Sequence, residues 1–93
     1  MSDSISVLTA SGQVYADKCQ LVGLIVTCTA PGGGQAVLDD SKDGSGTPLL
    51  AVRASAYSPV ILFLQERFFP LFSTGMYLTL GGSMTAILWV RRL

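Results

Sequence analysis

Residues Phe68 to Val90 read FFPLFSTGMYLTLGGSMTAILWV, an uncharged run that stops at Arg91-Arg92. Such a run is either a membrane span or a pair of strands buried on both faces, and the choice decides the fold. A spanning helix needs about 20 predominantly apolar residues without helix-breaking clusters. Pro70, Gly75 and the triplet Gly81-Gly82-Ser83 cut this run into pieces of strand length. Met76 to Leu80 and Met84 to Val90 are rich in large, aromatic and β-branched side chains, with a glycine turn between them. That pattern predicts a β-hairpin.

Working outward, short β-like runs recur between glycine, proline and polar turn residues. They fall at 4–8, 13–15, 19–29, 35–39, 47–53, 59–65, 75–80 and 83–90. No stretch carries an apolar stripe at helical spacing with caps at both ends. The expected fold is therefore all-β: one small antiparallel β-sandwich or jelly roll of about seven or eight strands, covering residues 1–93 as a single domain. The glycine-rich segments at 31–34 and 44–46 are too short for interdomain linkers and are expected to be hairpin connections. Residues 1–11 are expected to form an arm that docks on a neighbour.

Alternation within these strands carries the next step. From Gln20 to Thr29 one face would show Leu21, Gly23, Ile25 and Thr27, and the other Val22, Leu24, Val26 and Cys28. Both faces are largely apolar. The same holds for Val60 to Leu64, and for the last strand, where Met84, Ala86, Leu88 and Val90 oppose Thr85, Ile87 and Trp89. An antiparallel strand in a free monomer hides one face and wets the other. Two-faced apolar strands in a small sandwich leave area to be covered, most simply by copies of the chain or a larger assembly.

Composition narrows the function classes. Charged residues make up 13% of the chain against 49% hydrophobic, and the net charge is zero. The six basic residues are scattered apart from Arg91-Arg92, so the basic stripe of a nucleic-acid binder is missing. Met1-Ser2-Asp3-Ser4 lacks the positive region and apolar core of a secretory signal, which points to synthesis in a cytoplasm. Two charge-free stretches permit a small two-span membrane protein as an alternative, but glycine clusters interrupt both.

Most candidate chemistry fails on residue type. There is no histidine to act as general base for a serine or cysteine nucleophile. Cys19 and Cys28 sit at the ends of one expected strand, too far apart for a disulfide at about 3.3 Å per residue, so two reduced, buried thiols are expected. Asp39, Ser41 and Asp43 place oxygens at alternate positions before Gly44, as in the opening half of a calcium loop. The position of the closing glutamate is Leu50, and Lys42 lies inside the loop, so an ordinary Asp/Ser/Gly turn is the favoured reading and a cation only a candidate. No enzymatic role and no cofactor are expected.

Aromatic residues crowd the apolar half with Arg67 as the only basic residue among them until Arg91, which favours packing over a stacking platform for nucleic acid. Val60, Leu62 and Leu64, together with Met84, Ala86 and Leu88, are expected to form the shared core or the subunit contact. Phe68, Phe69, Phe72 and Trp89 are expected to join that interface.

Taken in order, several segments resemble a family of small virion structural proteins of tailed bacteriophages. They are Cys19 to Thr27, Gly34 to Asp40, Gly44 to Thr47 and Phe72 to Gly82. The family shows a cysteine-x-leucine-x-glycine strand, here Cys19, Leu21 and Gly23. A strand ending in tyrosine-aspartate follows, then a glycine-rich turn and a phenylalanine-x-x-glycine-aromatic strand that ends in glycines. Asp39 stands where the family has its tyrosine, and residues 59–72 are more apolar than the pattern. The resemblance implies a β-sandwich building block of a virion. In that role it would be a capsid decoration or cement protein, or a small neck or tail component, made in the host cytoplasm. Its partners would be copies of itself, as a trimer, and the major capsid protein. A carbohydrate- or receptor-binding module on a fibre or tail tip, using the aromatics and the acidic turn, is the alternative of a different class.

Overall fold

Strand-forming β-branched and aromatic residues, broken at short intervals by Gly, Pro, Ser and Asp, organise the chain into strands with no α-helix among the described residues. The structure is a computed structural model and describes residues 3–65, 67, 69–81 and 83–93. Its strands are β1 (Asp3–Leu8), β2 (Gly12–Tyr15), β3 (Cys19–Cys28), β4 (Gly34–Asp40), β5 (Thr47–Ala54), β6 (Val60–Phe63), β7 (Leu71–Phe72), β8 (Met76–Leu80) and β9 (Met84–Arg92). All but the two-residue β7 lie where the sequence pattern places a strand.

Two antiparallel sheets pack face to face. Sheet A has the order β1-β9-β3-β6, with β7 also pairing β3, and sheet B has the order β2-β8-β4-β5. The pairing is nested: β1 with β9, β2 with β8, β3 with β6 and β7, and β4 with β5. The chain is thus one long antiparallel ribbon, folded back at the β4–β5 turn and rolled up until its two halves face each other. This is the wrapping of a jelly roll. The radius of gyration, 12.3 Å, matches the value of about 12 Å expected for a compact chain of this length.

Between the sheets lies a core made of Leu21, Leu24, Val26 and Cys28 from β3, Ala86, Leu88 and Val90 from β9, Ala36 and Leu38 from β4, and Met76 and Leu78 from β8. Strict alternation along β3 fails at one point. A bulge between Leu21 and Gly23 shifts the phase, so Cys19 and Leu21 before it and Leu24, Val26 and Cys28 after it all point inward.

The rolled ribbon overturns two sequence expectations, the hairpin of β8 with β9 and the hairpin connection at 31–34. Met76–Leu80 and Met84–Arg92 do not form a hairpin, because β8 is flanked by β2 and β4 and β9 by β1 and β3. Each strand's own edges are occupied, and their apolar residues meet across the core instead, Leu78 and Leu88 both almost fully buried. Gly82, between them in the sequence, lies outside the described residues. The 31–34 segment likewise passes from sheet A to sheet B; only the connection between β4 and β5, containing Gly44 to Gly46, closes the expected hairpin. Residues 3–8 of the expected docking arm are an edge strand held in register against β9, from Asp3↔Arg91 to Leu8↔Ala86. Met1 and Ser2 lie outside the described residues.

Candidate association surface

The acidic turn at the tip of the ribbon binds itself. Ser41 Oγ donates to Asp39 Oδ1 at 2.9 Å and accepts from the Gly44 amide at 2.8 Å. Asp43 Oδ1 accepts the Ser45 hydroxyl and, at 3.0 Å, the Ser45 amide, and these bonds, the hydroxyl's foremost, hold the Asp43 carboxyl below the usual carboxylate range. Asp40 Oδ1 reaches across to the segment entering β8 and accepts the amides of Thr74 at 2.7 Å and Gly75 at 3.4 Å. Those amides, that of Thr74 foremost, lower the Asp40 pKa. The candidate cation ligands Asp39, Ser41 and Asp43 therefore serve the Asx and Ser turns that fold the tip. No group of three or more metal-ligating side chains converges among the described residues.

Both cysteines are free and buried at opposite ends of β3. Burial pushes the Cys19 thiol up to about 11, and the negative charges of Asp40 and Asp17 add to the shift. A thiol so protonated and enclosed is a packing group and a poor nucleophile.

The proposed interface residues divide. Met84, Leu88 and Phe72 are core, and Val60, Leu62 and Leu64 pack against that core from its rim. Phe69 is half-buried, with the Arg91 guanidinium 5.2 Å from its ring centroid. Phe68 lies outside the described residues. Trp89 alone among these points away from the core while contacting another ring, lying 5.0 Å from Phe63 at a 58° tilt.

Trp89 belongs to a surface that the sequence pattern did not assemble. Paired residues in a sheet point to the same face. One row across the outer face of sheet A runs Val7, Ile87, Ile25 and Ile61; the next runs Ile5, Trp89, Gly23 and Phe63. Four of these side chains are largely in solvent: Ile5 at 62%, Val7 at 62%, Ile61 at 65% and Phe63 at 53% exposure. A Cβ at Gly23 would enter the Phe63 ring, so the glycine is what lets that ring lie across β3 towards Trp89.

Strand β1 shows the same orientation most plainly. Ser4 and Ser6 pair with Val90 and Leu88 and share their inward side, while Ile5 and Val7 face out. From Ser4 to Val7 the amphipathicity is inverted relative to the core of its own sheet, and only at Leu8, opposite Ala86, does an apolar side chain of β1 pack inward. The outer face of sheet B is ordinary by contrast, with Gln13, Tyr77, Thr79, Gln35 and Arg53 among its outward residues. The signal for the sheet A surface was present in the alternation Ser4-Ile5-Ser6-Val7, but its direction depends on which side of β1 meets the core.

No helix among the described residues is long and apolar enough to cross a membrane. Against known protein families and curated proteins the sequence finds no match, so the fold and this surface are what the chain offers to a functional reading.

Proposed function

We propose that the chain is a non-enzymatic structural protein of a tailed-phage virion, a capsid decoration or cement protein that self-associates and docks on the shell. The observation that carries this reading is the centre of the outer face of sheet A, where apolar residues of four strands stand in two adjacent uncharged rows, with Arg91 only in the row beyond. Exposed apolar area of that kind marks a surface that works by being covered. The groups with reactive chemistry support the reading from the other side. The carboxylates of the acidic turn close backbone turns, and the thiols are enclosed.

The jelly roll is used by viral capsid domains, by lectins and by enzymes alike, so the fold by itself does not choose among them. What favours the shell over a sugar is the chemistry of the face: sugar recognition needs several polar groups converging beside an aromatic ring, and the two rows that hold Trp89 and Phe63 offer only the Trp89 indole N–H, with Arg91 and Gln20 in the next row. In a lattice, many copies in weak contacts gain by avidity, since each later contact is effectively intramolecular.

Co-sedimentation of the purified chain with empty expanded shells of tailed phages tests the reading. Saturable binding at a fixed number of copies per shell, with a rise in the shell's melting temperature, is the expected result. A chain that stays in the supernatant across all shells tried, while remaining folded, would remove the decoration role.

A further inference from the structure

We propose that the outer face of sheet A is a self-docking surface: a second copy of this chain lays the same face upon it, sheet against sheet, about a two-fold axis. This rests on the self-association in the reading above and names the surface that performs it. The occupant must be largely apolar, because the two central rows offer seven apolar side chains and one glycine, with the Trp89 indole N–H as their one side-chain hydrogen-bonding group. An identical face satisfies that requirement without bringing like charges together. With the axis running between the rows, the row of Ile5, Trp89 and Phe63 in one copy lies over the row of Val7, Ile87 and Ile61 in the other. Large rings then meet branched aliphatic chains, and sheets packed in this way sit about 10 Å apart.

The area fits a reversible pair. Four strands at about 4.8 Å spacing make a face about 19 Å wide, and the outward positions from Thr85 to Arg91 span about 24 Å, giving about 450 Å² of flat area per copy. The pair covers about 900 Å², before side-chain relief is counted, which is below the roughly 1,200 Å² of stable specific interfaces and in the range of weak, transient contacts. A face that meets itself closes after two copies, so this contact gives a dimer where the family resemblance implies a trimer. The exposed apolar residues of β1 then have a physical reason: Ile5 and Val7 face the buried side of the assembly, while on the inward side Ser6 is half-buried and Ser4 is exposed.

Trp89 is the sole tryptophan and stands in the centre of the face, so its emission reports the contact directly. Sedimentation velocity and tryptophan emission are recorded together on the full chain from low-micromolar to millimolar concentration. The expected result is a mass rising to twice the 9.8 kDa of one chain, with a blue shift of Trp89 emission at the same midpoint. Ile61→Lys and Val7→Lys each move that midpoint at least about tenfold to higher concentration, because a lysine would be buried unpaired. Thr79→Lys, on the outer face of sheet B, leaves it in place. Both substituted face positions are exposed on edge strands, and circular dichroism melts of each variant verify the fold. A dimer indifferent to Ile61→Lys and Val7→Lys, or a three-copy mass, overturns this contact and leaves self-association standing. A monomer at every concentration overturns both.

Discussion

Gly23 works by what it lacks. It sits at the β3 bulge, pairs with Phe63 on one side and Trp89 on the other, and leaves room for the Phe63 ring to cover it. Gly23→Ala would press its Cβ into that ring and to 2.9 Å from the Leu62 carbonyl oxygen. The expected cost is about 1–3 kcal/mol of stability, read by urea denaturation. Adding Phe63→Ala should recover part of it, because the ring clash is then gone while the carbonyl contact remains. Cys19 gives a pH signature at the same scale. Its folded pKa is raised from 9.0 to about 11, so its contribution to stability is fully present below about 9. Between about 9 and 11 the unfolded chain ionises its thiol while the folded chain does not, and that contribution is lost. The wild type should therefore lose more melting temperature over this interval than Cys19→Ala, and its native thiols should react slowly with a thiol-titrating reagent at neutral pH. An equal alkaline slope in both proteins would show that Cys19 is not the group responsible.

Among elements, the β4–β5 turn matters beyond its own hairpin, because Asp40 at the end of β4 ties down the residues entering β8. Its carboxylate accepts the Thr74 and Gly75 amides. Hydrogen bonds to a charged acceptor are worth about 1.5–3 kcal/mol, and the exposed setting argues for the lower end. Asp40→Ala should lower stability by about 1–2 kcal/mol in chemical denaturation, without changing the strand content seen by circular dichroism. The pH dependence follows from the lowered pKa. The contribution is present above the usual carboxylate value of 3.8 and is lost as pH falls through the lower folded value, so the acid limb of the stability curve should be shallower in Asp40→Ala. Strand positions were legible in the sequence to within a residue or two at most ends, since each element carries its own β-forming residues and turn signals. The two-residue β7 was missed because Pro70-Leu71-Phe72 is too short to show any period. Pairing partners were not legible, because in a rolled ribbon β1 finds β9 and β2 finds β8, and nothing local in either strand names the other.

For the whole molecule the consequence is two unlike sides, a polar outer face on sheet B and an apolar one on sheet A. The expected self-association and shell binding both belong to this scale, since no single strand presents the surface by itself. The sequence alone determined the all-β class, the approximate number of strands, the two reduced cysteines and the surplus of apolar strand faces, because these depend on residue type and period. It pointed to Val60, Leu62 and Leu64 as shared core or subunit contact without deciding between them, and the structure packs them against the core and leaves Ile61 and Phe63 outside. A period of two states only that a strand has two faces; which of them meets the core depends on the strand's place in a sheet and on any bulge along it. That place is fixed by pairings between residues as far apart as Asp3 and Arg91, and only the tertiary structure decides them.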